Sequence, residues 1–430
     1  MSEQLSLHQL QAAVTGNAAA IRATTRLIPA GGPSEKVFPP TYAGAQYAYE
    51  DRWIEGERVR TVLLDSVPSQ ANRLEQALLQ AYRRRQLHFP LIEVDFSQER
   101  DLADLGRITT LDAPHRIADA ILRDSLHQGL AFRLSEPGQR FTTCSPKNAS
   151  ALFELCPTAC LLGVWDSTGP RGAFGARFER ALVSEIIGVD PLPGRRTAGR
   201  LDPLLIRSDL GNDHVIYKHK DPIQLWTLDS SEAEQDERGR PRLFKTGKPS
   251  AILHGNITPD LARASKEVRA PGGELIARRD AVLEGGVTIH YALQTTVLSL
   301  VALRRLAFPG SDEDRPARDA AACTTLAALG LAGVVLQREQ GYDLRSRCLL
   351  VPQEPLVFEL IPADGGKSTC CRLDASHAAK LVAEAVEQAK AQGLRWETRI
   401  TLTPSPKLVR LVRRTRELEI IRAEEESEES

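Results

Sequence analysis

The sequence predicts a mixed protein of α+β or α/β class, and three observations lead there. Stretches of strand-like composition alternate with stretches of helical period. The chain has 430 residues, 42% hydrophobic and 26% charged, which suits a large core and two or three domains. One long stretch, 190–256, loses both periods and is dominated by Pro, Gly and charge, which predicts an insertion rather than core.

The elements follow in order. Residues 1–24 carry a weak helical pattern, and 29–40 read as a Pro/Gly loop. Val59 to Leu64 is aliphatic and β-branched, a strand. A helix from about Ser69 to Arg84 comes next, with Ser66 or Ser69 as its cap and Pro68 in a first turn. Ala71, Leu74, Leu78 and Ala81 form its apolar stripe. Leu91 to Phe96 alternates like a strand, and 114–127 suits a helix. Ala159 to Trp165 reads as a strand, followed by the loop Asp166 to Gly172. A helix is expected from Ala173 to Ile187, with Phe174, Phe178, Leu182 and Ile186 on one face and Arg177, Arg180 and Ser184 on another. Val287 to Leu306 reads as a central helix, apolar on nearly all sides, and 316–336 as a second, Ala/Leu-rich one. Leu349 to Ile361 is strand-like but broken by Pro352 and Pro355. Asp374 to Gln392 is an amphipathic helix ended by Gly393, and Thr398 to Leu402 a last strand. From about Glu417 the chain reads as a solvated acidic tail.

Composition excludes several classes. No apolar run reaches the roughly 18 residues of a membrane span. The first ten residues lack the basic and apolar regions of a secretory signal. The seven scattered cysteines then read as reduced thiols of a cytoplasmic protein. Net charge is −1, but five glutamates between Glu424 and Glu429 weigh on that figure. Basic clusters sit elsewhere, at Arg83-Arg84-Arg85, Arg195-Arg196, Lys218 to Lys220, Arg238 to Lys248 and Arg410 to Arg416. Charge acts through such patches, so the total neither supports nor excludes a nucleic-acid partner.

Catalytic signatures are scarce. The nearest approach to a phosphate loop is Gly366-Lys367-Ser368, read as lying between a strand and a helix. A Walker A loop needs a glycine five places before Gly366, and Ile361 stands there. Cys156 and Cys160 are spaced for a metal but have no second Cys/His pair close by. His115, His254 and His290 have no evident acid–base partner. No catalytic residue, cofactor or metal is expected.

What remains is polar and basic side chains at the joints between elements. Ser69, Gln70, Asn72 and Arg73 occupy the first turn of a helix, where free N–H groups favour anions. Their donors suit phosphates, riboses or base edges, and a helix cap with solvated neighbours is the other reading. The loop with Thr168 and Gly169 lets a backbone come close, and Arg171, Arg177 and Arg180 add charge. A flexible turn beside a solvated face is the alternative there. Trp165 and Phe174 could stack on bases or belong to the core.

Six blocks also carry a family resemblance: Phe38-Pro39-Pro40-Thr41-Tyr42; Leu63-Leu64-Asp65-Ser66-Val67-Pro68-Ser69-Gln70-Ala71-Asn72-Arg73-Leu74-Glu75; Trp165-Asp166-Ser167-Thr168-Gly169; Arg171-Gly172-Ala173-Phe174 to Ser184-Glu185-Ile186; His254-Gly255-Asn256-Ile257; and Gly285-Gly286-Val287-Thr288-Ile289, with Leu298-Ser299-Leu300 to Arg304-Arg305-Leu306 behind them. Together, between about 26 and 308, they resemble the backbone subunit of type I-G (formerly I-U) CRISPR Cascade, in the RAMP superfamily. The Ser-Gln-Ala-Asn-Arg block is the most specific of them.

The resemblance implies an α+β fold: an RRM-like (ferredoxin-like) antiparallel sheet palm, with helices and large insertions including a β-hairpin thumb. It divides the chain into palm (1–189), thumb (190–256), palm again (257–416) and an acidic disordered tail (417–430). It implies a guide RNA (crRNA) as ligand, target DNA reached through the guide, further copies head to tail, and large, foot/processing and small Cascade subunits as partners. Guides differ in sequence, so binding should use phosphates and 2′-OH groups. In the thumb, Arg195, Arg196, Lys218, Lys220, Lys245 and Lys248 are the expected contacts. Related subunits cleave RNA with an acidic loop residue. Asp65 and Asp166 are the nearby acids here, and no cleavage is expected of them. The alternatives are a RAMP-type endoribonuclease that processes guide precursors and a nucleotide enzyme acting through Lys367.

Overall fold

The computed structural model describes residues 3–43, 46–169, 172, 175–206, 215–261, 263–269, 275–310 and 314–429. The chain divides into two compact units, one of residues 1–192 with 287–409, the other of 193–286 with 410–430. The principal elements of the first unit are, in chain order, α1 (Leu7–Thr15), β1 (Ala18–Pro29), β2 (Tyr49–Ile54), β3 (Glu57–Asp65), α2 (Val67–Arg83), β4 (Leu91–Asp95), β5 (Leu182–Val189), β6 (Tyr291–Ser299), α3 (Arg315–Gln340), β7 (Phe358–Pro362), α4 (Ala375–Ala391) and β8 (Arg399–Pro404).

The main sheet runs β7–β1–β6–β5–β3–β2, with every neighbour antiparallel. Taken along the chain, β1, α2, β5, β6, α3 and β7 form the β-α-β-β-α-β unit of a ferredoxin-like fold. In space its strands stand in the order fourth, first, third, second. The α+β, RRM-like expectation is therefore met. The hairpin of β2 and β3 extends the sheet beyond β5. β5 and β6 pair as a long hairpin from Leu182↔Leu298 to Val189↔Tyr291, and the 193–286 stretch fills the place of its turn. A second sheet of five short strands is centred on β4 and β8, which run parallel with Leu91 opposite Arg399.

The helices cover one face of the palm. α3 is long and apolar enough to cross a membrane by composition, yet most of its apolar stretch is buried inside the protein. It is apolar all round because α1, α2 and α4 pack on it. Close approach explains one of its glycines: a Cβ on Gly330 would stand 3.3 Å from Leu161, whereas one on Gly333 would meet Leu78 at an ordinary 3.5 Å.

The 193–286 part of the second unit is strand-built. Thr197–Arg200 pairs with Ile257–Leu261, Tyr217–Lys218 with Trp226–Thr227, and Arg263–Arg269 with Leu275–Val282 in a long antiparallel hairpin. It reaches past the 190–256 bounds drawn from composition. A Cβ on Gly285 would fall 2.4 Å from the Arg195 backbone, and Gly286 has a positive φ of 78°. Those two facts account for the Gly285-Gly286 pair.

Several elements differ from expectation. The helix read over 173–187 is two strands, Arg177–Phe178 and β5. The helix read over 287–306 is Glu284–Thr288, β6 and a short helix, Leu300–Leu303. Both β5 and β6 are interior strands whose buried rows mix apolar side chains with Ser184, Gln294 and Thr296, which hides the period of two. Ala159–Trp165 is a helix, Pro157–Leu162, with only Val164–Trp165 extended. Within 1–24, α1 stops at Thr15 and β1 begins at Ala18. The stretch 114–127 breaks into Arg116–Ala118, Ala120–Arg123 and the strand Ser125–His127. Pro406–Glu429 is helical.

Candidate nucleic-acid interface

The most specific sequence block lies inside the palm. Ser66 caps α2 through the Ser69 N–H. Asp65, fully buried, accepts from Ser69 Oγ at 2.8 Å, Gln70 Nε2 at 2.6 Å, Arg73 Nε at 2.9 Å and Arg345 at 3.2 Å. Gln70 is also fully buried. Its Oε1 accepts from Ser184 Oγ, Gln294 Nε2 and Gln337 Nε2, each at 3.0 Å. Gln294 Oε1 in turn accepts from Tyr342 at 2.8 Å, and Thr296 Oγ1 lies 2.9 Å from Ser184 Oγ. Arg73 and Arg345 carry the network outward to the carbonyls of Leu344 and Phe38.

This overturns the expectation of free donors at the start of α2. Asp65 already supplies the anion, and Gln70 faces inward. Ser69 and Arg73 are half-buried and engaged, while Asn72 is exposed. The polar row Ser184, Gln294 and Thr296 also explains why β5 and β6 disguised themselves: their inward face is hydrogen-bonded rather than greasy.

A second anchor holds the Trp165 ribbon. Arg116 forks onto the buried Glu75 of α2 at 2.7 and 2.9 Å and donates to the Gly163 carbonyl at 3.0 Å. Burial pushes the Glu75 carboxyl up, and the Arg116 guanidinium pulls it back. Gly163 has a φ of 82°, and a Cβ there would stand 3.1 Å from the Phe178 carbonyl. The buried Asp166 accepts both arms of Arg133, at 2.6 and 2.5 Å. A Cβ on Gly169 would come 2.2 Å from the Asp166 carboxylate, so only glycine fits against that ion pair.

Pinning turns side chains outward. Trp165 is 54% exposed, where core was one of the readings open to it. The Arg177 guanidinium, one register pair across the ribbon, lies 5.6 Å from its ring centre. Thr168 and Arg180 are exposed on the same stretch of chain. Arg171 and Phe174 lie outside the described residues. The indole's exposure was hidden in sequence, because a lone Trp after an apolar run looks like core.

The open face of the palm offers less. Arg22 pairs with Glu359, Arg52 with Glu185, and Arg26 covers the ring of Tyr291 at 4.1 Å. In the second unit Lys218 is buried and paired with Glu234 at 2.8 Å. Arg195, Arg196, Lys220, Lys245 and Lys248 are exposed.

Other chemistry is poorly supplied. Gly366-Lys367-Ser368 sits in the turn between β7 and the strand Thr369–Arg372, so no helix follows it as a phosphate loop requires. Burial pushes the Cys156 and Cys160 thiols up, opposite to what a metal-binding thiolate needs. Among the described residues no three His, Cys, Asp or Glu side chains gather to hold a metal. His115 and His290 are exposed, and His254 lies 3.4 Å from Asp202.

Residues 21–191 match the family model described as CRISPR-associated protein GSU0053. The chain is similar there to a CRISPR-associated family. That stretch runs from inside β1 to just past β5, and so holds Asp65, Gln70, the Glu75–Arg116 and Arg133–Asp166 pairs and the Trp165 ribbon, while Gln294, Gln337, Tyr342 and Arg345 lie outside it. The similarity supports a CRISPR-associated role. No curated protein matches the chain.

Proposed function

We propose that this protein is a guide-RNA-binding backbone subunit of a type I Cascade, of the I-G kind, acting without catalysis in the cytoplasm. Copies of it would line one guide head to tail and present it for pairing with target DNA, beside large, foot/processing and small subunits. The observation that carries this reading is the ferredoxin-like palm whose β5–β6 hairpin opens into a strand-built second unit, in a chain similar to a CRISPR-associated family. A guide of arbitrary sequence must be held by phosphate, ribose and stacking contacts. The exposed Trp165 and Arg177 provide a stacking face and a cation in a ribbon fixed from both ends.

The test is co-purification of the tagged protein from a host expressing the neighbouring CRISPR proteins and a repeat array, followed by sequencing of the bound nucleic acid. Full-length guides carrying many protein copies are expected, with affinity falling as salt is raised because phosphate contacts release counterions. Protein free of nucleic acid, or bound singly to random RNA, would overturn the reading.

A further inference from the structure

The run Arg83-Arg84-Arg85 takes no part in either anchor. Arg83 and Arg85 border a cleft of about 430 Å³ whose other walls include His88, Arg107 and Arg399, with Glu93 between them. Glu93 is 4% exposed and accepts from Arg107 and Arg399, each at 3.2 Å, and from Thr401 at 3.1 Å. Arg107 leans also on Asp95. Arg83 and Arg85 have no carboxylate within ion-pair distance among the described residues. The cleft thus sets four guanidiniums against two carboxylates, Glu93 and Asp95. The carbonyl end of α2 contributes only about half a negative charge nearby. The surplus is positive, and two of the guanidiniums are held in place by a buried acid.

The cleft shares Tyr82, His88 and Arg399 with an adjoining groove of about 580 Å³. That groove is floored by Phe89, Val386 and Trp396 from β4's approach, α4 and β8's approach. The Trp396 indole is fixed by its bond to the His88 carbonyl at 2.9 Å, and the tilted rings of Tyr82 and Phe89 lie 5.3 Å apart. Lys390, at the rim, is taken by Glu387 and Glu397. A groove whose floor includes the largely covered Phe89 and Trp396, 4% and 3% exposed, and which shares its lining with a guanidinium cluster offers a place for a planar base joined to a phosphate.

We propose that this composite site binds a nucleoside phosphate, with the phosphate among Arg83, Arg85, Arg107 and Arg399 and the base in the Phe89–Trp396 trough. The ligand is either a free nucleotide or one nucleotide of an RNA strand. The site stands apart from Trp165 and does not rest on guide binding, so either reading can fail alone.

The experiment titrates the full chain with fluorescently labelled adenosine monophosphate and competes it with inorganic phosphate, unlabelled nucleotide and a short RNA. Saturable binding is expected. Arg83→Ala with Arg85→Ala, both exposed positions, should weaken it about tenfold or more. Ala383→Trp, on the exposed rim of the trough, should weaken the nucleotide but leave phosphate competition unchanged. Displacement at lower concentration by RNA assigns the site to a strand, and better displacement by free nucleotide assigns it to a small ligand. Absence of saturable binding by a folded protein, or binding indifferent to both variants, would overturn the proposal.

Discussion

The Asp65–Gln70 network and the Trp165 ribbon are two polar regions with opposite destinies. The first gathers side chains from β3, α2, β5, β6 and α3 and closes on itself. Its donors and acceptors are spent within the protein. The second uses buried ion pairs, Glu75–Arg116 and Arg133–Asp166, only as footings, and leaves an indole and a guanidinium in solvent. Buried polar groups must find one another to exist at all, whereas exposed ones are free to meet a ligand. The block that looks most distinctive along the chain is therefore fold-determining, and the residues available for binding are ordinary-looking ones beside it.

Mutation should break this contrast most sharply at Asp65. Asp65→Leu leaves Arg73 and Arg345 without their buried counter-charge and should cost about 3–5 kcal/mol, read as lost soluble yield or a lowered denaturant midpoint. Arg73→Glu, which sets a second carboxylate against Asp65, belongs with the fold-breaking changes and cannot serve as a binding test. Gln70→Leu is expected to cost about 1–3 kcal/mol, because the donors from Ser184, Gln294 and Gln337 lose a shared acceptor. Chemical denaturation would measure it, and an unchanged midpoint would deny the network its structural role.

Trp165→Ala should do the reverse. Stability should stay within about 0.5 kcal/mol, as at ordinary surface sites. Single-stranded RNA binding should weaken by about 1–3 kcal/mol, as seen by filter binding at fixed salt. Weak RNA binding accompanied by a fallen melting temperature would place Trp165 with the scaffold instead.

The smallest effect is a pH effect at the α4 cap. Asp374 accepts from the His377 N–H at 3.0 Å, from Ser376 and from Gln4. These bonds hold its carboxyl well below the usual range, the His377 N–H first among them. Its contribution is present above the free carboxyl's value and is lost as pH falls through and below it. Asp374→Asn should flatten that acid-side loss slightly in melting curves taken between pH 5 and 3.

Much of the palm was legible. α2, with Ser66 as one of two candidate caps, α3, α4 and the β3, β4 and β8 strands all follow from period and composition. β5 and β6 were not. Their inward rows mix Leu182, Ile186 and Leu298 with Ser184, Gln294 and Thr296, so neither alternation nor greasiness marks them. The site was legible in part. The loop at Thr168 and Gly169 and the cation at Arg177 were marked in sequence, but the exposure of Trp165 was not.

By itself, then, the sequence determined α2, α3 and α4, offered Ser66 or Ser69 as the cap of α2, and marked a charged insertion between two stretches of regular period. Those are local properties, set by neighbours within a few residues. Only the tertiary structure decided which polar residues face one another. Gln70 and Gln294 lie far apart in the chain and meet at 3.0 Å because two strands and a helix converge. A hydrogen bond is a property of that meeting, and no residue carries it alone.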